Sequence, residues 1–443
     1  MSTLTIAIVV VFIIGYACIA LESATKVNKA AVALLMFVFC WTLFMVDPGS
    51  YVTGATGNEL LAKINGIIEG HLGSTATTLF FLMGAMTIVE IVDQNGGFNF
   101  VRNTLRTTSK RTLLWRILFL SFFLSAILDN MTTSIVMVMV LRKLVAEKQD
   151  RLIYASLVII AANSGGAFSP IGDVTTIMLW NKGLITSGGV ITEIFIPSLV
   201  SAVIPGLIMQ FMLKGTLNMP EDKTTTEAEE FTDMQRKIIF CLGVGGLMFV
   251  PIFKYLTSLP PFVGILLVLG VLWTATEVFY GNLHHKKSPM SKRVSNLLSR
   301  IDMSTILFFL GILMAVSCLE EVGVLSLTGQ WLNGVSGENH YIVTGTIGII
   351  SSIVDNVPLV AGCMGMYTNL VGDFACDGLF WQLLAYCAGV GGSILIIGSA
   401  AGVVVMGLEK ISFGWYMKHI SWIVLVGYFA GILCYAGINM IIR

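Results

Sequence analysis

The chain has 443 residues, 56% hydrophobic and only 12% charged, with a mean hydropathy of +0.85. Soluble domains carry about 25% charged residues, so the composition excludes an ordinary soluble protein and indicates an integral membrane one. Its 26 basic and 26 acidic residues cancel, which removes the global positive bias of a nucleic-acid binder.

Crossing a bilayer takes about 20 apolar residues. Runs of that kind predict spans near 3–21, 29–46, 76–93, 191–213, 238–254, 260–281, 302–320 and 419–442. The N-terminal Met1-Ser2-Thr3-Leu4-Thr5 lacks a basic n-region, so the first run reads as a retained span, although small residues stand nearby at Ala17, Ala20 and Ala24. Residues 113–148 are about twice a span long, with Asp129-Asn130 near the middle and basic residues at both ends, which suits a re-entrant hairpin. Residues 153–180 form one span interrupted by Gly165, Gly166, Pro170 and Gly172. Such a break is tolerated only where its open backbone lines a cavity or packs on protein.

The same two features return later. Residues 342–372 form a second hairpin around Asp355-Asn356-Val357-Pro358, and 379–408 a second broken span. Asp129-Asn130 aligns with Asp355-Asn356, and at the same offset Gly165-Gly166 falls on Gly391-Gly392, Gly172 on Gly398, Asp173 on Ser399 and Thr176 on Gly402. Upstream, Leu79-Phe80-Phe81-Leu82 matches Leu307-Phe308-Phe309-Leu310. Paired, glycine-interrupted segments in an internal repeat are the mark of a secondary transporter.

The expected fold is therefore an all-α polytopic membrane protein of two inverted repeats, each with five crossings, one of them broken, plus one re-entrant hairpin. The first repeat covers 1–213, a cytoplasmic linker 214–237, and the second repeat 238–443. This threading puts 22 of the 26 Lys and Arg on one side, leaving Lys63, Lys182, Lys254 and Arg443 on the other. By the positive-inside rule the first side is cytoplasmic and both termini lie outside. A bacterial plasma membrane is the expected location.

Asp129, Asp173 and Asp355 are the carboxylates nearest the predicted centre. Around them stand Asn130, Thr132, Thr133, Asn163, Ser164, Ser169, Thr175, Thr176, Ser351, Ser352, Asn356, Ser393 and Ser399, with no Lys, Arg or His inside the polar runs. Intramembrane carboxylates cost roughly 2.5–3.5 kcal/mol each on insertion scales and point to function by default. Fixed negative charge with neutral hard-oxygen ligands suits a hard cation rather than an organic anion. Burial and a neighbouring carboxylate both favour the protonated acid, and a bound cation reverses both effects, so one site can exchange H⁺ for a metal ion. Titration would then belong to the set of Asp groups. Two structural roles stand beside this one: Asp129 as a turn or cap residue, and Asp173 as the N-cap of a restarting helix.

Glu90, with Ser393 and Ser399, is a candidate for the ion or proton pathway. The five histidines, His71, His284, His285, His340 and His419, sit in or beside predicted loops and read as solvated. Eight cysteines show no CxxC pair, and Cys18, Cys40, Cys241, Cys318 and Cys434 read as small core hydrophobes. No Ser/His/Asp set, HExxH or P-loop motif supports an enzyme.

At Leu128-Asp129-Asn130-Met131-Thr132-Thr133, Asn163-Ser164-Gly165-Gly166, Ser169-Pro170-Ile171-Gly172-Asp173-Val174-Thr175-Thr176 and Asp355-Asn356-Val357-Pro358, the chain resembles the NhaD-type Na⁺/H⁺ antiporters of the ion transporter superfamily. The resemblance spans nearly the whole chain. It implies proton-coupled efflux of Na⁺ and Li⁺, no bound cofactor, and a homodimer in lipid with a scaffold and a moving transport part. By carry-over it marks Asp129, Asn130, Thr132, Asp173, Thr175, Thr176, Asp355 and Asn356 as ion-site residues, with Na⁺ expected at Asp129, Asp173, Thr175, Thr176 and Asp355. Dicarboxylate relatives of the superfamily carry Ser-Asn-Thr-type triplets at these tips, which this chain lacks at both Asp-Asn positions. A Na⁺-coupled carboxylate carrier is the alternative.

Overall fold

The structure, a computed structural model, describes residues 2–20, 27–52, 54, 56–97, 105, 107–213, 215–217, 232–281, 294–337, 339–353 and 355–442. Most of the expected 214–237 linker, Val354 of the second hairpin, and 282–293 with His284 and His285 lie outside them. Among the described residues the fold is helical, with one isolated bridge between Ser109 and Thr216. Among the described residues seven helices are long and apolar enough to cross a membrane.

The helices begin where the sequence supplies caps. Helix α1 (Thr3–Ala20) is followed by α2 (Lys29–Phe44), which starts at Asn28, whose side chain accepts from the Ala30 amide. Helix α3 runs from Gly57 to Gln94, 38 residues, so the expected span 76–93 is only its second part. At 1.5 Å per residue it is about 57 Å long, nearly twice a bilayer core. Its first half escaped hydropathy because Glu59, Lys63 and Glu69 dilute apolar residues that nonetheless recur at helical spacing (Leu60, Ile64, Ile67, Ile68). His71 falls inside this helix, not in a loop, and its Nε2 lies 2.8 Å from Glu321 Oε1.

The first hairpin consists of α4 (Lys110–Leu128) and α5 (Asn130–Leu144), and the first broken span of α6 (Lys148–Ala167) and α7 (Val174–Asn181). Helix α8 (Ser187–Met209) follows. After α9 (Asp233–Thr257), α10 (Pro261–Gly281) and α11 (Met303–Glu321) comes α12 (Val324–Ser336). No span was expected there. With Leu325 buried and Trp331 and Val335 exposed, α12 packs one face on the protein and leaves apolar side chains on the other. The second hairpin is α13 (His340–Ser351) and α14 (Asn356–Met366), the second broken span α15 (Leu379–Gly391) and α16 (Ala400–Glu409), and α17 (Trp422–Ile442) ends the chain.

The packing explains the glycines. Helix α4 lies on α6, and α13 on α15. A Cβ at Gly165 would run into the Phe122 carbonyl, and one at Gly391 into that of Gly348, so at both places a helix meets backbone directly. The same offset relates two hydrogen bonds: Ser125 donates to the Ala162 carbonyl at 2.6 Å, and Ser351 to that of Ala388 at 2.9 Å. The second arm of each hairpin crosses over, α5 packing on α16 and α14 on α7. Helices α2 and α11 form a tight pair outside this core, as do α8 and α17. Cys40 and Cys318 are buried as expected, whereas Cys241 is exposed on the surface of α9.

Candidate functional site

Among the described residues four helices start at the breaks and hairpin tips, and their N-caps are Asp129 (α5), Asp173 (α7), Asp355 (α14) and Ser399 (α16). Each break thus presents one helix end rich in N–H groups, and the carboxylates sit on those ends, where the helix dipole favours negative charge. The capping role and the ionic role fall on the same residues.

Asp173 is the best-held of the three carboxylates. It is 1% exposed. Its Oδ1 accepts from the Thr175 amide at 2.9 Å and from the Thr175 hydroxyl at 2.8 Å. Its Oδ2 accepts from Asn130 Nδ2 at 2.6 Å, and Asn356 Nδ2 lies 3.3 Å from both oxygens. Thr176 donates its hydroxyl to the Asp173 carbonyl at 2.9 Å. A buried charge needs such a donor set to be tolerable.

Asn130 extends the network to Asn163 Oδ1 at 3.0 Å, and Asn163 Nδ2 donates to Ser393 at 2.8 Å and Ser399 at 2.9 Å. A continuous path of polar side chains therefore joins both hairpins and both breaks. Asp129 stands beside it and interacts electrostatically with Asp173, which interacts in turn with Asp355. Both Asp129 oxygens are occupied by Thr132, through its amide at 2.7 Å and its hydroxyl at 2.8 Å. The backbone there, at φ 94 and ψ 161, occupies a region that only glycine adopts readily, a cost of roughly 1–3 kcal/mol.

Asp355 accepts from the Val357 amide at 3.3 Å, and its Oδ2 lies 3.5 Å from Lys29 Nζ. The polar runs themselves contain no basic residue, but the fold brings Lys29 in from a distant helix start.

The remaining expected residues divide clearly. Ser393 and Ser399 belong to the network. Ser164 faces α8 instead, sharing a hydrogen bond of 3.0 Å with Ser201. Thr133 is fully buried, and its hydroxyl has no hydrogen-bond partner among the described residues. Glu90 lies 3.8 Å from Arg300, apart from the network. Among the described residues no group of three or more His, Cys, Asp or Glu converges as a metal cage. The ligands on offer are carboxylates spaced by amides and hydroxyls, a donor set for a weakly held hard cation rather than a permanent metal.

A second ionic cluster ties the core together away from these residues. Glu409 at the end of α16, its side chain 1% exposed, accepts from Arg142 Nε at 2.7 Å and Arg151 Nε at 2.6 Å. Arg142 also donates to the Leu408 carbonyl.

A family model described as a citrate transporter matches residues 9–384. The chain is 44% identical to "Sodium/proton antiporter 1" of Arabidopsis thaliana over 98% of its own length and 72% of that protein. It is 29% identical to "Na(+)/H(+) antiporter NhaD" of Vibrio cholerae, over 99% of this chain and 92% of the relative. Among solved structures, the YdaH transporter of Alcanivorax borkumensis superposes with a TM-score of 0.60 at 11% identity, covering 93% of this chain and 97% of that one.

Proposed function

The chain belongs to the citrate transporter family, among its NhaD-type Na⁺/H⁺ antiporters, and we propose that it exports Na⁺, and Li⁺, in exchange for H⁺. It is a multi-pass membrane protein and a secondary transporter, not an enzyme. The observation that carries the exchange reading is the Asp173 carboxylate, buried at the meeting point of both hairpins and held by Asn130 and Asn356.

In this reading the transported cation binds among Asp129, Asp173, Thr175, Thr176 and Asp355, with Asn130, Thr132, Thr133, Asn163 and Asn356 supporting it and Ser164 packing behind. Protons arriving from outside displace Na⁺ there, and Na⁺ arriving from inside displaces the protons. The two occupants compete because each neutralises the same buried carboxylates. Two inverted repeats, 1–213 and 238–443, supply the hairpins and breaks as one body that moves in an elevator-like cycle against α2, α11 and their neighbours. The protein works as a homodimer in a plasma membrane with both termini outside, and Glu90 lies on the inner approach.

Everted vesicles holding a pH gradient test this directly. Addition of Na⁺ or Li⁺ should dissipate the gradient, and K⁺ tested in parallel defines selectivity. Uptake of labelled citrate driven by Na⁺, without Na⁺-dependent proton movement, would replace this reading by that of a coupled carboxylate carrier.

A further inference from the structure

A cavity of about 100 Å³ lies between the α1–α2–α11 side and the second hairpin and break, lined among others by Tyr16, Lys29, Phe308, Asp355 and Ser399. It reaches the polar network at Ser399, which accepts from Asn163. Its polar character is marked by the Tyr16 hydroxyl, which is buried and has no hydrogen-bond partner among the described residues. Buried hydroxyls are normally satisfied, so this one is a group that a water would complete.

Lys29 holds two anchors in this cavity. Its ammonium lies 3.5 Å from Asp355 Oδ2 and 4.3 Å from the centre of the Phe308 ring. It stands on the first turn of α2, next to the cap residue Asn28, which also accepts from Ser304 at 3.0 Å. Helix α2 is fixed to α11: Trp41 donates to the Met314 carbonyl at 2.8 Å, and a Cβ at Gly311 would stand 2.6 Å from the Ala33 backbone. Lys29 is therefore carried by the α2–α11 pair, and its partner by the hairpin that contributes Asn356 to Asp173.

We propose that Lys29 is a tethered counter-cation: its ammonium neutralises Asp355 in the cation-free site and is displaced when the transported cation enters through this cavity. The role rests on the exchange reading above. An ammonium at this point both competes for the carboxylate and repels an incoming cation, so it lowers the apparent affinity for Na⁺. The pair is half-buried, with side chains 24% and 16% exposed, which limits its strength without removing it. The cation–π contact with Phe308 keeps the ammonium in position while it waits.

The test is the Na⁺ dependence of exchange in everted vesicles. Lys29→Gln should lower KM for Na⁺ roughly three- to tenfold, the effect of losing one partly screened competing charge. Lys29→Arg should restore a wild-type KM, and Phe308→Leu should give a smaller fall. A merely structural role would instead reduce kcat and the amount of inserted protein while leaving KM in place. If Lys29→Gln fails to insert, Phe308→Leu decides, and an unchanged KM there overturns the role. Intact wild-type exchange with an unchanged or raised KM in Lys29→Gln overturns it alone. Absence of Na⁺-dependent exchange in the wild type overturns the antiport reading, and the Lys29 role with it.

Discussion

The side-chain amide of Asn356 lies 3.3 Å from both carboxylate oxygens of Asp173, although 183 residues separate them in the chain. The tip of one hairpin thus touches the break of the other half. Any shift of either element alters the donor set of the most buried acid among the described residues.

Charge and capping at Asp173 can be separated by substitution. Asp173→Ser places there the residue that already caps α16 at Ser399, so α7 should keep its start while the carboxylate is lost. Exchange should fall by at least about a hundredfold, the loss expected when a charge-assisted ligand is removed from a desolvated site. Protein recovered from the membrane should stay near wild-type levels. Substantial Na⁺-dependent exchange in this variant would dismiss Asp173 as an ion ligand.

Asn356→Ala removes donors from Asp173 and leaves its cap intact. Hydrogen bonds to charged groups contribute about 1.5–3 kcal/mol, so the purified protein should unfold at a lower temperature, with a matching loss of exchange. Asn356→Ser, with a shorter donor, should recover little. A melting curve that superposes on the wild type would show that the contact contributes nothing.

Gly165→Ala and Gly391→Ala should each be severe, because the added methyl meets a carbonyl of the neighbouring helix that cannot retreat. A cost of about 1–3 kcal/mol or more is expected, read as poor recovery of monodisperse protein in detergent. Gly270→Ala, at an open position on α10, is the control and should behave as wild type.

Glu409→Gln strands two guanidinium groups at the end of α16. Removing one partner of a buried ion pair costs about 3–5 kcal/mol, and the exposure of Arg142, 46% at its side chain, argues for the lower end. Thermal unfolding in detergent measures it. A shift no larger than that of a surface substitution would show that α16 is held by packing alone.

The carboxylates were legible in the sequence because charge inside apolar runs is conspicuous and because Asp129-Asn130 recurs as Asp355-Asn356. The breaks were legible from Gly165-Gly166 and Gly391-Gly392, where backbone meets backbone. Lys29 was not, since a lysine at the end of an apolar run is what ordinary interface anchoring places there. Its role depends on a contact 326 residues away. The first half of α3 was missed because hydropathy weighs composition and not period. Glu90 stood out for its charge alone, and the fold pairs it with Arg300 outside the network.

The crossing of hairpin arms has a consequence for how the chain is made. Helix α5 packs on α16 and α7 on α14, so the first half leaves the ribosome with two surfaces whose partners have not been synthesised. Asp173 and Asn163 must wait in the translocon or in lipid without Asn356, Ser393 and Ser399. Halves 1–213 and 238–443 expressed on separate plasmids should each be short-lived alone and rescue one another when produced together. The donor set that holds Asp173 is completed only when the second half arrives.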